Sequence, residues 1–480
     1  MPRKDTIVKI LSGDRFTPFG LARKLNARAV LESSSFQRGR ERYSVILAQD
    51  AFRIEQRGAE MTLISDRGRE RIGEGSVDVL DVLTALANEH GPLHQDFPFP
   101  AGGIGYLGYE FSRFCDSLHF RKKADSLGLP DAAFLFGHVF VVFDHYTDAL
   151  YVIGINYSRH EIDLSRAVAA VEKRLADMDF NYLSPDETVY PAKIIGTDEN
   201  RAAYLAGVER VKEEIVKGNL LQCVLSHRLL VRTPIPALEA YRRLRTANPS
   251  PYLFYLDFGD YQLFGSSPEM LVRVKEGRAV VRPIAGTRPR GKSREEDRAL
   301  EYELTHDEKE RAEHLMLVDL ARNDLGRVCK PGSIKVTQSM IVERYSHVMH
   351  LVSQVEGELH AGLAGAEAVR ATFPAGTVSG APKIRAMSVI DELEPERRGF
   401  YAGLVGYVEP GGGLDTCIAI RTALKRGDLL VMQAGAGIVY DSVPDREYRE
   451  TQEKLGALAL AAGINLEGFD TAAEAAGGKR

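Results

Sequence analysis

Short apolar runs that come in pairs around tight turns place the strongest constraint on the fold of this chain. Residues 139–143 and 150–153 form such a pair around a turn at 145–148. Residues 271–284 and 415–431 show the same pattern around glycine-containing turns. Strands joined by so few residues pair antiparallel, because a parallel connection needs a crossover of a dozen or more residues. The pattern therefore predicts antiparallel sheets in an α+β protein.

Helical periodicity is predicted between the hairpins. Apolar residues recur every four positions over 164–178, and an acidic first turn predicts a helix start at 197–204. Residues 295–323 are predicted as one long helix, and 382–393 as a helix with Pro382 in its first turn.

Changes of composition along the chain predict its domain organisation. Residues 1–180 form an N-terminal region, and the polar segment 181–200, with two prolines, is the predicted linker. The second half, 201–468, is predicted to be the catalytic domain. An Ala/Gly-rich tail, 469–480, is predicted to be disordered.

Composition excludes several classes of protein. The formal net charge is -5, with 62 Lys and Arg against 67 Asp and Glu, so the chain lacks the basic surface of a nucleic-acid binder. The 4 cysteines stand far apart, which argues against a zinc site or a disulfide framework and favours a reducing cytoplasm. We find no apolar run near the ~20 residues of a membrane helix and no signal peptide, so no membrane association is expected.

Two nucleotide-binding motifs occur in unsuitable contexts. Residues 103–108 match GxGxxG, but the proline-rich segment before them does not suit a central parallel strand. Residues 286–293 match the phosphate-loop pattern GxxxxGK[ST], preceded by a run containing Arg and Pro and followed by a fully charged segment. A phosphate-loop NTPase remains a distant alternative.

Two pairs of glutamates carry the clearest chemical signal. Glu310 and Glu313 lie three apart in a predicted helix, and Glu447 and Glu450 repeat the spacing near the C-terminus. The alternative is a solvated helix face. If both helices face one cleft, however, the four carboxylates converge and need a cation. Mg²⁺ suits such a site, because it takes few protein oxygens and keeps positions for water and substrate.

An anion pocket is predicted from the segment 373–383 and from Arg421. Thr377 and Ser379 can cap the following helix, whose N-terminus beside Lys383 suits a carboxylate, although a plain capped helix start explains these residues equally well. Arg421 is predicted on an apolar strand, at an edge or paired with an anion.

Backbone access and proton transfer are assigned to residues outside that segment. Gly435 and Gly437 would let the sheet backbone approach the same ligand. His350 suits proton transfer, the alternative being a core histidine.

The second half resembles the chorismate-utilising enzymes, and most closely the anthranilate synthase large subunits among them. The resemblance rests on six blocks in order: 282–291, 313–324, 346–350, 374–383, 415–422 and 434–451. It implies a β-sandwich-like core of antiparallel sheets flanked by helices. It also explains the phosphate-loop match, because residues 286–291 belong to a motif of the family itself.

The resemblance implies a role for each site residue. Mg²⁺ on the four glutamates would hold the ring carboxylate of chorismate. The enolpyruvyl carboxylate would be bound by Tyr401, Arg421, Gly435 and Gly437, and the ring would be lined by Gly286, Thr287 and Thr377. Glu269 would act as general acid and His350 would transfer a proton. Tryptophan would be bound by Ser33, Pro251, Tyr252 and Leu253.

Two positions discriminate between the family's reactions. Isochorismate and salicylate synthases carry a Lys base where this chain has Gln222, and aminodeoxychorismate synthase carries a Lys nucleophile where it has Ala285. The resemblance therefore implies amination at ring C2 to give anthranilate, with isochorismate or aminodeoxychorismate synthesis as the alternative, and a non-catalytic binding relative as a further one. No cysteine lies in the GxCxG motif of a glutamine amidotransferase. Ammonia is thus expected from a separate amidotransferase subunit, in a heterotetramer inhibited by tryptophan.

Overall fold

The computed structural model describes residues 5–33, 42–73, 77–93, 97–177, 188–195, 198–345 and 348–466. The predicted tail and part of the predicted linker, residues 181–187 and 196–197, lie outside these residues. The strands are β1 (Thr6–Ser12), β2 (Ala29–Glu32), β3 (Tyr43–Arg57), β4 (Glu60–Ser65), β5 (Gly68–Ile72), β6 (Ile104–Leu107), β7 (Ala132–Asp144), β8 (Ala149–Ile155), β9 (Lys193–Ile195), β10 (Gln222–Arg232), β11 (Tyr252–Asp257), β12 (Gln262–Ser267), β13 (Met270–Lys275), β14 (Arg278–Val281), β15 (Ile284–Pro289), β16 (Lys335–Arg344), β17 (Val348–Glu358), β18 (Gly380–Ala381), β19 (Leu404–Val408), β20 (Leu414–Ile418), β21 (Thr422–Arg426) and β22 (Leu429–Ile438). The helices are α1 (Pro18–Leu25), α2 (Val79–Ala87), α3 (Leu164–Ala176), α4 (Asp198–Val216), α5 (Ala237–Ala247), α6 (Arg294–His306), α7 (Glu308–Gly326), α8 (Gly365–Thr372), α9 (Lys383–Leu393) and α10 (Pro444–Ala461).

Two antiparallel sheets share the long strands β3 and β7. The first sheet runs β1-β8-β7-β3-β2-β11-β12-β21-β22-β10. The second runs β4-β3-β7-β6-β19-β20-β13-β14-β17, with β15 and β16 also on β17. The register between β3 and β7 shifts near residues 47–52, where one sheet gives way to the other.

Alternation along the shared strands divides the core into two layers. On β3, Val45 and Leu47 belong to the cluster that also holds second-sheet residues such as Leu271. Their neighbours Ile46 and Ala48 face the other way, into a second cluster formed with α1, α3, α5 and α10. The predicted α+β class, with sandwiched antiparallel sheets flanked by helices, is confirmed.

The hairpins predicted from the sequence are present. β7 and β8, β13 and β14, and β21 and β22 each pair across a short turn. The predicted helix at 164–178 is α3, and α4 begins at Asp198, beside a predicted start that falls partly outside the described residues. Strands of the predicted N-terminal region pair with later ones, as β2 does with β11 and β6 with β19. The predicted domain boundaries stay a prediction.

The prediction of one helix over 295–323 is wrong, because the helix is interrupted at Asp307. Asp307 ends α6 and caps α7, with its carboxylate accepting from the backbone N–H groups of Lys309 at 3.0 Å and Glu310 at 3.1 Å. Aspartate competes in this way for the backbone donors of a helix start, so a cap replaces a continuous helix.

The phosphate-loop match is not a phosphate loop. Residues Ile284–Pro289 form β15, which pairs antiparallel with β17, and Ser293 caps α6 through a hydrogen bond from Glu296 N. The GxGxxG match likewise contributes the antiparallel strand β6. Among the helices that the structure describes, none combines the length and hydropathy needed to cross a membrane.

Candidate active site

Helices α7 and α10 carry the two predicted glutamate pairs, Glu310 and Glu313 on the first and Glu447 and Glu450 on the second. Burial raises the pKa of Glu313, and repulsion from Glu310 and from Glu450 on the other helix raises it further. Burial also raises the pKa of Glu447, with Glu450 adding to it. Glu450 of α10 therefore lies close enough to Glu313 of α7 to affect its pKa, while the convergence of all four carboxylates on one cation stays a prediction.

Each of three carboxylates in the cleft already has a protein partner. Gln222 Nε2 donates to Glu313 Oε1 at 3.0 Å, Arg288 Nη1 lies 3.1 Å from Glu310 Oε1, and Lys454 Nζ lies 2.7 Å from Glu450 Oε1. Within the described ranges, no three His, Cys, Asp or Glu side chains are arranged closely enough to hold a metal ion by themselves.

The donor set nevertheless fits Mg²⁺. The four side chains supply only oxygens, and their mutual repulsion raises carboxylate pKa values, which a divalent cation would reverse. A site that leaves positions for water and a substrate carboxylate does not need an all-protein cage.

His350, on β17, contacts two residues of β15. Its Nδ1 is 3.2 Å from the carbonyl oxygen of Gly286 and 3.0 Å from the hydroxyl of Thr287. A carbonyl oxygen only accepts, so the bond to Gly286 requires the proton on Nδ1 and leaves Nε2 as an acceptor. Burial lowers the pKa of His350 to about 4, so the ring is neutral near pH 7 and can take a proton.

Glu269 lies between β12 and β13 and is buried. Burial raises its pKa to about 8, against the opposing effects of the Thr377 hydroxyl, the backbone at Ile284 and Arg421. A carboxyl group in this state carries a proton at neutral pH, which is what a general acid requires.

Arg421 is not within a strand, contrary to the prediction. It follows the end of β20, with a φ of 49°, and its carbonyl accepts from Ser266 N at 3.1 Å. At this residue, which has a left-handed conformation, the chain passes from β20, which pairs with β19, to β21, which pairs with β12. A local apolar pattern does not reveal such a break.

The Arg421 side chain is a partly buried cation that could receive an anion. Burial lowers its pKa, while Tyr401, Glu450 and Glu269 raise it. In the part of the chain that the structure describes, its guanidinium makes no ion pair. Guanidinium groups that are withdrawn from water are normally paired with an anion. The Arg421 guanidinium therefore suits a carboxylate of a ligand.

Gly435 and Gly437, on β22, allow neighbouring groups to approach the strand closely. A Cβ at Gly435 would lie 2.9 Å from the Tyr401 hydroxyl, and one at Gly437 would lie 2.5 Å from Gln222 Nε2. Gly286, with a φ of 77°, approaches the glutamates, since a Cβ there would lie 3.2 Å from Glu310 Oε2. That these residues together bind one substrate stays a prediction.

The predicted capping at the start of α9 is wrong. Pro382 is the N-cap rather than the first helical residue and provides no side-chain hydrogen bond, and Ser379 Oγ donates instead to Ala375 O at 2.8 Å. Lys383 does not face a ligand. Its Nζ is buried against Asp324 Oδ2 at 2.8 Å, because a buried ammonium group needs an anionic partner.

The predicted tryptophan-binding residues line a separate cavity of about 830 Å³. Ser33, Pro251, Tyr252 and Leu253 all contribute to its wall. The Ser33 hydroxyl is buried and has no hydrogen-bond partner among the residues described.

Comparison with known proteins decides the family. The family model described as "chorismate binding enzyme" matches residues 37–460. The chain belongs to the chorismate-binding enzymes. The resemblance identified from the sequence is thereby confirmed, together with the fold it implied.

Individual members of the chorismate-binding enzymes match over almost the whole chain. Anthranilate synthase component 1 of Spirochaeta aurantia is 58% identical over 464 residues, 96% of this chain and 96% of that protein. The protein of the same name from Aquifex aeolicus is 42% identical, covering 95% and 94%. The crystal structure of anthranilate synthase component I from Streptococcus pneumoniae TIGR4 matches with a TM-score of 0.78 and 38% identity, covering 87% of this chain and 92% of that one.

One residue beside the candidate site was missed by sequence reasoning. Lys454 Nζ donates to Gly435 O at 2.9 Å and also contacts Glu450. Its positive charge opposes the rise that burial causes in the pKa of Glu447. The signal was present, because Lys454 lies four residues after Glu450 and seven after Glu447, on the same face of α10.

Proposed function

We propose that this chain is the chorismate-binding component of anthranilate synthase, which converts chorismate and ammonia to anthranilate and pyruvate. The observation that carries the choice of reaction is the contact between Gln222 and Glu313. A neutral amide occupies the position where a lysine base would activate water, and it is engaged as a donor to a carboxylate. Ala285 likewise offers no amine for a covalent route. The names of the relatives point to the same reaction.

Substrate binding follows from the charges of the cleft. Arg421, beside the Tyr401 hydroxyl and the exposed backbone of Gly435, would receive the enolpyruvyl carboxylate. Glu310, Glu313, Glu447 and Glu450 would hold Mg²⁺, which would neutralise the acids and orient the ring carboxylate. Gly286, Thr287 and Thr377 would line the ring.

Two proton transfers then complete the reaction. Ammonia attacks C2 while the C4 hydroxyl leaves as water, with the proton supplied by Glu269. Loss of the C2 proton expels the enolpyruvyl group as pyruvate and makes the ring aromatic. His350, neutral and with Nε2 free to accept, suits the proton-transfer role in this second step.

The source of ammonia and the control of the enzyme belong to the same proposal. We expect a separate glutamine amidotransferase subunit, because no cysteine of this chain lies in an amidotransferase motif. We assign tryptophan, as feedback inhibitor, to the cavity that Ser33 lines. A cytoplasmic location remains a prediction from the cysteine pattern.

The test is product analysis. The purified chain is incubated with chorismate, Mg²⁺ and an ammonium salt, and anthranilate is followed by its fluorescence while chromatography resolves other products. We expect anthranilate and pyruvate in equal amounts, inhibition by tryptophan, and no turnover after chelation. Isochorismate or aminodeoxychorismate as the product would overturn the proposal in favour of those activities, and no turnover with Mg²⁺ present would favour a binding relative.

A further inference from the structure

A buried ion pair lies directly behind the candidate site. Arg398 is 2% exposed, and its guanidinium binds the carboxylate of Glu394 at two points, through Nε at 2.8 Å and Nη2 at 2.7 Å. Glu394 is 5% exposed. The mechanism proposed above uses neither residue.

The remaining donors of Arg398 reach two segments that carry site residues. Nη1 donates to the carbonyl of Val378, next to Thr377, at 2.8 Å. Nη2 donates to the carbonyl of Val224, also at 2.8 Å, and Val224 is the partner of Gly437 between β10 and β22. One planar group thus fixes both segments relative to each other.

Glu394 makes a further contact with β10 at Ser226, two residues after Val224. Its Oε1 accepts from the backbone N–H of Ser226 at 2.9 Å and from its hydroxyl at 2.8 Å. Ser226 is the β10 partner of Gly435, and a Cβ at Gly435 would lie 3.0 Å from Ser226 Cβ. The ion pair is therefore bonded to the β10 partners of both site glycines.

The guanidinium also lies against the ring of Tyr401. Its central carbon is 5.4 Å from the ring centroid of Tyr401 and 4.6 Å from that of Tyr109. These distances are typical of cation–π contacts, which fix the ring as well as attract it. The hydroxyl of this Tyr401 ring faces Gly435.

We propose that the Arg398–Glu394 pair is a positioning device that sets Thr377, Tyr401, Gly435 and Gly437 at the distances the substrate requires. This proposal rests on the proposed function for the identity of the substrate. The hydrogen bonds that its two side chains make to other residues all end beside site residues, and they link pieces of chain that no continuous strand joins. A buried pair of this kind is weak support for stability, since apolar replacements often fold as well, whereas it is able to specify geometry.

The test separates positioning from stability. Arg398→Met combined with Glu394→Gln removes both charges and keeps an acceptor for Ser226. Arg398→Lys keeps a charge opposite Glu394 but cannot reach Val378, Val224 and Glu394 with one planar fork. For each variant we would measure denaturant unfolding, chorismate affinity by calorimetry without ammonia, and kcat and KM with ammonium.

Both variants should lose about 100-fold in kcat/KM, the cost of a misplacement near 1 Å, and about tenfold in chorismate affinity. Arg398→Lys should lose this activity even where its unfolding midpoint stays that of the wild type. A matched control is the pair of Arg370 and Asp78, whose Nη2 and Oδ1 atoms lie 2.7 Å apart, since none of its hydrogen bonds ends on a site segment. Arg370→Met combined with Asp78→Asn should keep kcat/KM within about twofold.

The outcomes are distinguishable. Wild-type kcat/KM and affinity in a folded Arg398→Lys variant would overturn the positioning role, and so would a loss of activity that only follows the loss of stability. If the double variant does not fold, Arg398→Lys alone decides. A wild-type chain that binds chorismate but releases another product would overturn the proposed function, while affinity across the variants would still test the positioning role.

Discussion

The amide of Gln222 lies 3.0 Å from the carboxylate of Glu313, which places a neutral donor on one of the predicted magnesium ligands. This hydrogen bond lowers the pKa of Glu313 against the effect of burial, and so favours the ionised form that a metal needs. Gln222→Met should therefore raise the Mg²⁺ concentration for half-maximal activity about tenfold, the effect of one hydrogen bond to a charged group. Direct titration with Mg²⁺ should show the same shift, and an unchanged Mg²⁺ affinity would contradict this role.

Glu313 itself should be indispensable for the metal. Glu313→Gln keeps the shape of the side chain and removes the charge, so Mg²⁺-dependent turnover should fall by about 100-fold or more while the unfolding midpoint is retained. Glu308→Gln is the matched control, because Glu308 is exposed on the same helix. Equal turnover in the two variants would show that the acids of α7 do not bind metal.

The rate should depend on pH through Glu269. A protonated acid with a pKa of about 8 predicts that kcat/KM, referred to free ammonia, falls as the pH rises through about 8. The neutral state of His350 predicts a second fall only as the pH drops through about 4. Glu269→Gln should lose roughly 10²–10⁴-fold in rate. A wild-type profile that stays flat across pH 8 would remove Glu269 from the role of acid.

The same carboxyl group should make stability depend on pH. Between the ordinary range of a glutamate and pH 8, the folded chain binds a proton that the unfolded chain has lost, so this part of the free energy of unfolding declines as the pH rises. Glu409, whose pKa burial raises to about 7, adds a similar decline. The relevant measurement is therefore the difference between wild type and Glu269→Gln in denaturant unfolding from pH 5 to 9. An identical slope in the two would show that Glu269 is ionised in the folded chain.

Ser33→Phe should weaken tryptophan inhibition. The phenyl group would enter the cavity that the Ser33 hydroxyl lines and would overpack it against a ligand, at a cost equivalent to about tenfold in the inhibition constant. Turnover without tryptophan should be nearly unchanged, because Ser33 is not in the catalytic cleft. Ser158→Phe, at an exposed position, is the control. Full inhibition of Ser33→Phe would place the feedback site elsewhere.

Local sequence was sufficient for the hairpins and for the paired acids. The turn after Lys275 and the turn before Leu429 appear where glycines interrupt apolar runs, because both signals lie within a few residues. The Glu310 and Glu313 spacing predicted one helix face for the same reason. The pairing of β2 with β11 and that of β6 with β19 depend on tertiary packing and left no local signal.

The errors share a physical cause. Asp307 and Arg421 both interrupt regular structure within sequences whose composition suits it, one by capping a new helix and the other by adopting a left-handed conformation. Arg398 and Glu394 show the related difficulty for burial. Their spacing of four residues resembles an ordinary exposed helix pair, and nothing local shows that both are among the most buried charges described.

The wall of the cavity that Ser33 lines includes Pro268 and Met270, the two neighbours of Glu269. An occupant of that cavity would therefore contact residues on both sides of the proposed proton donor. Under the proposed function, an effector bound there would act on the chemistry through Pro268 and Met270 directly, because both belong to the cavity wall and are bonded to Glu269.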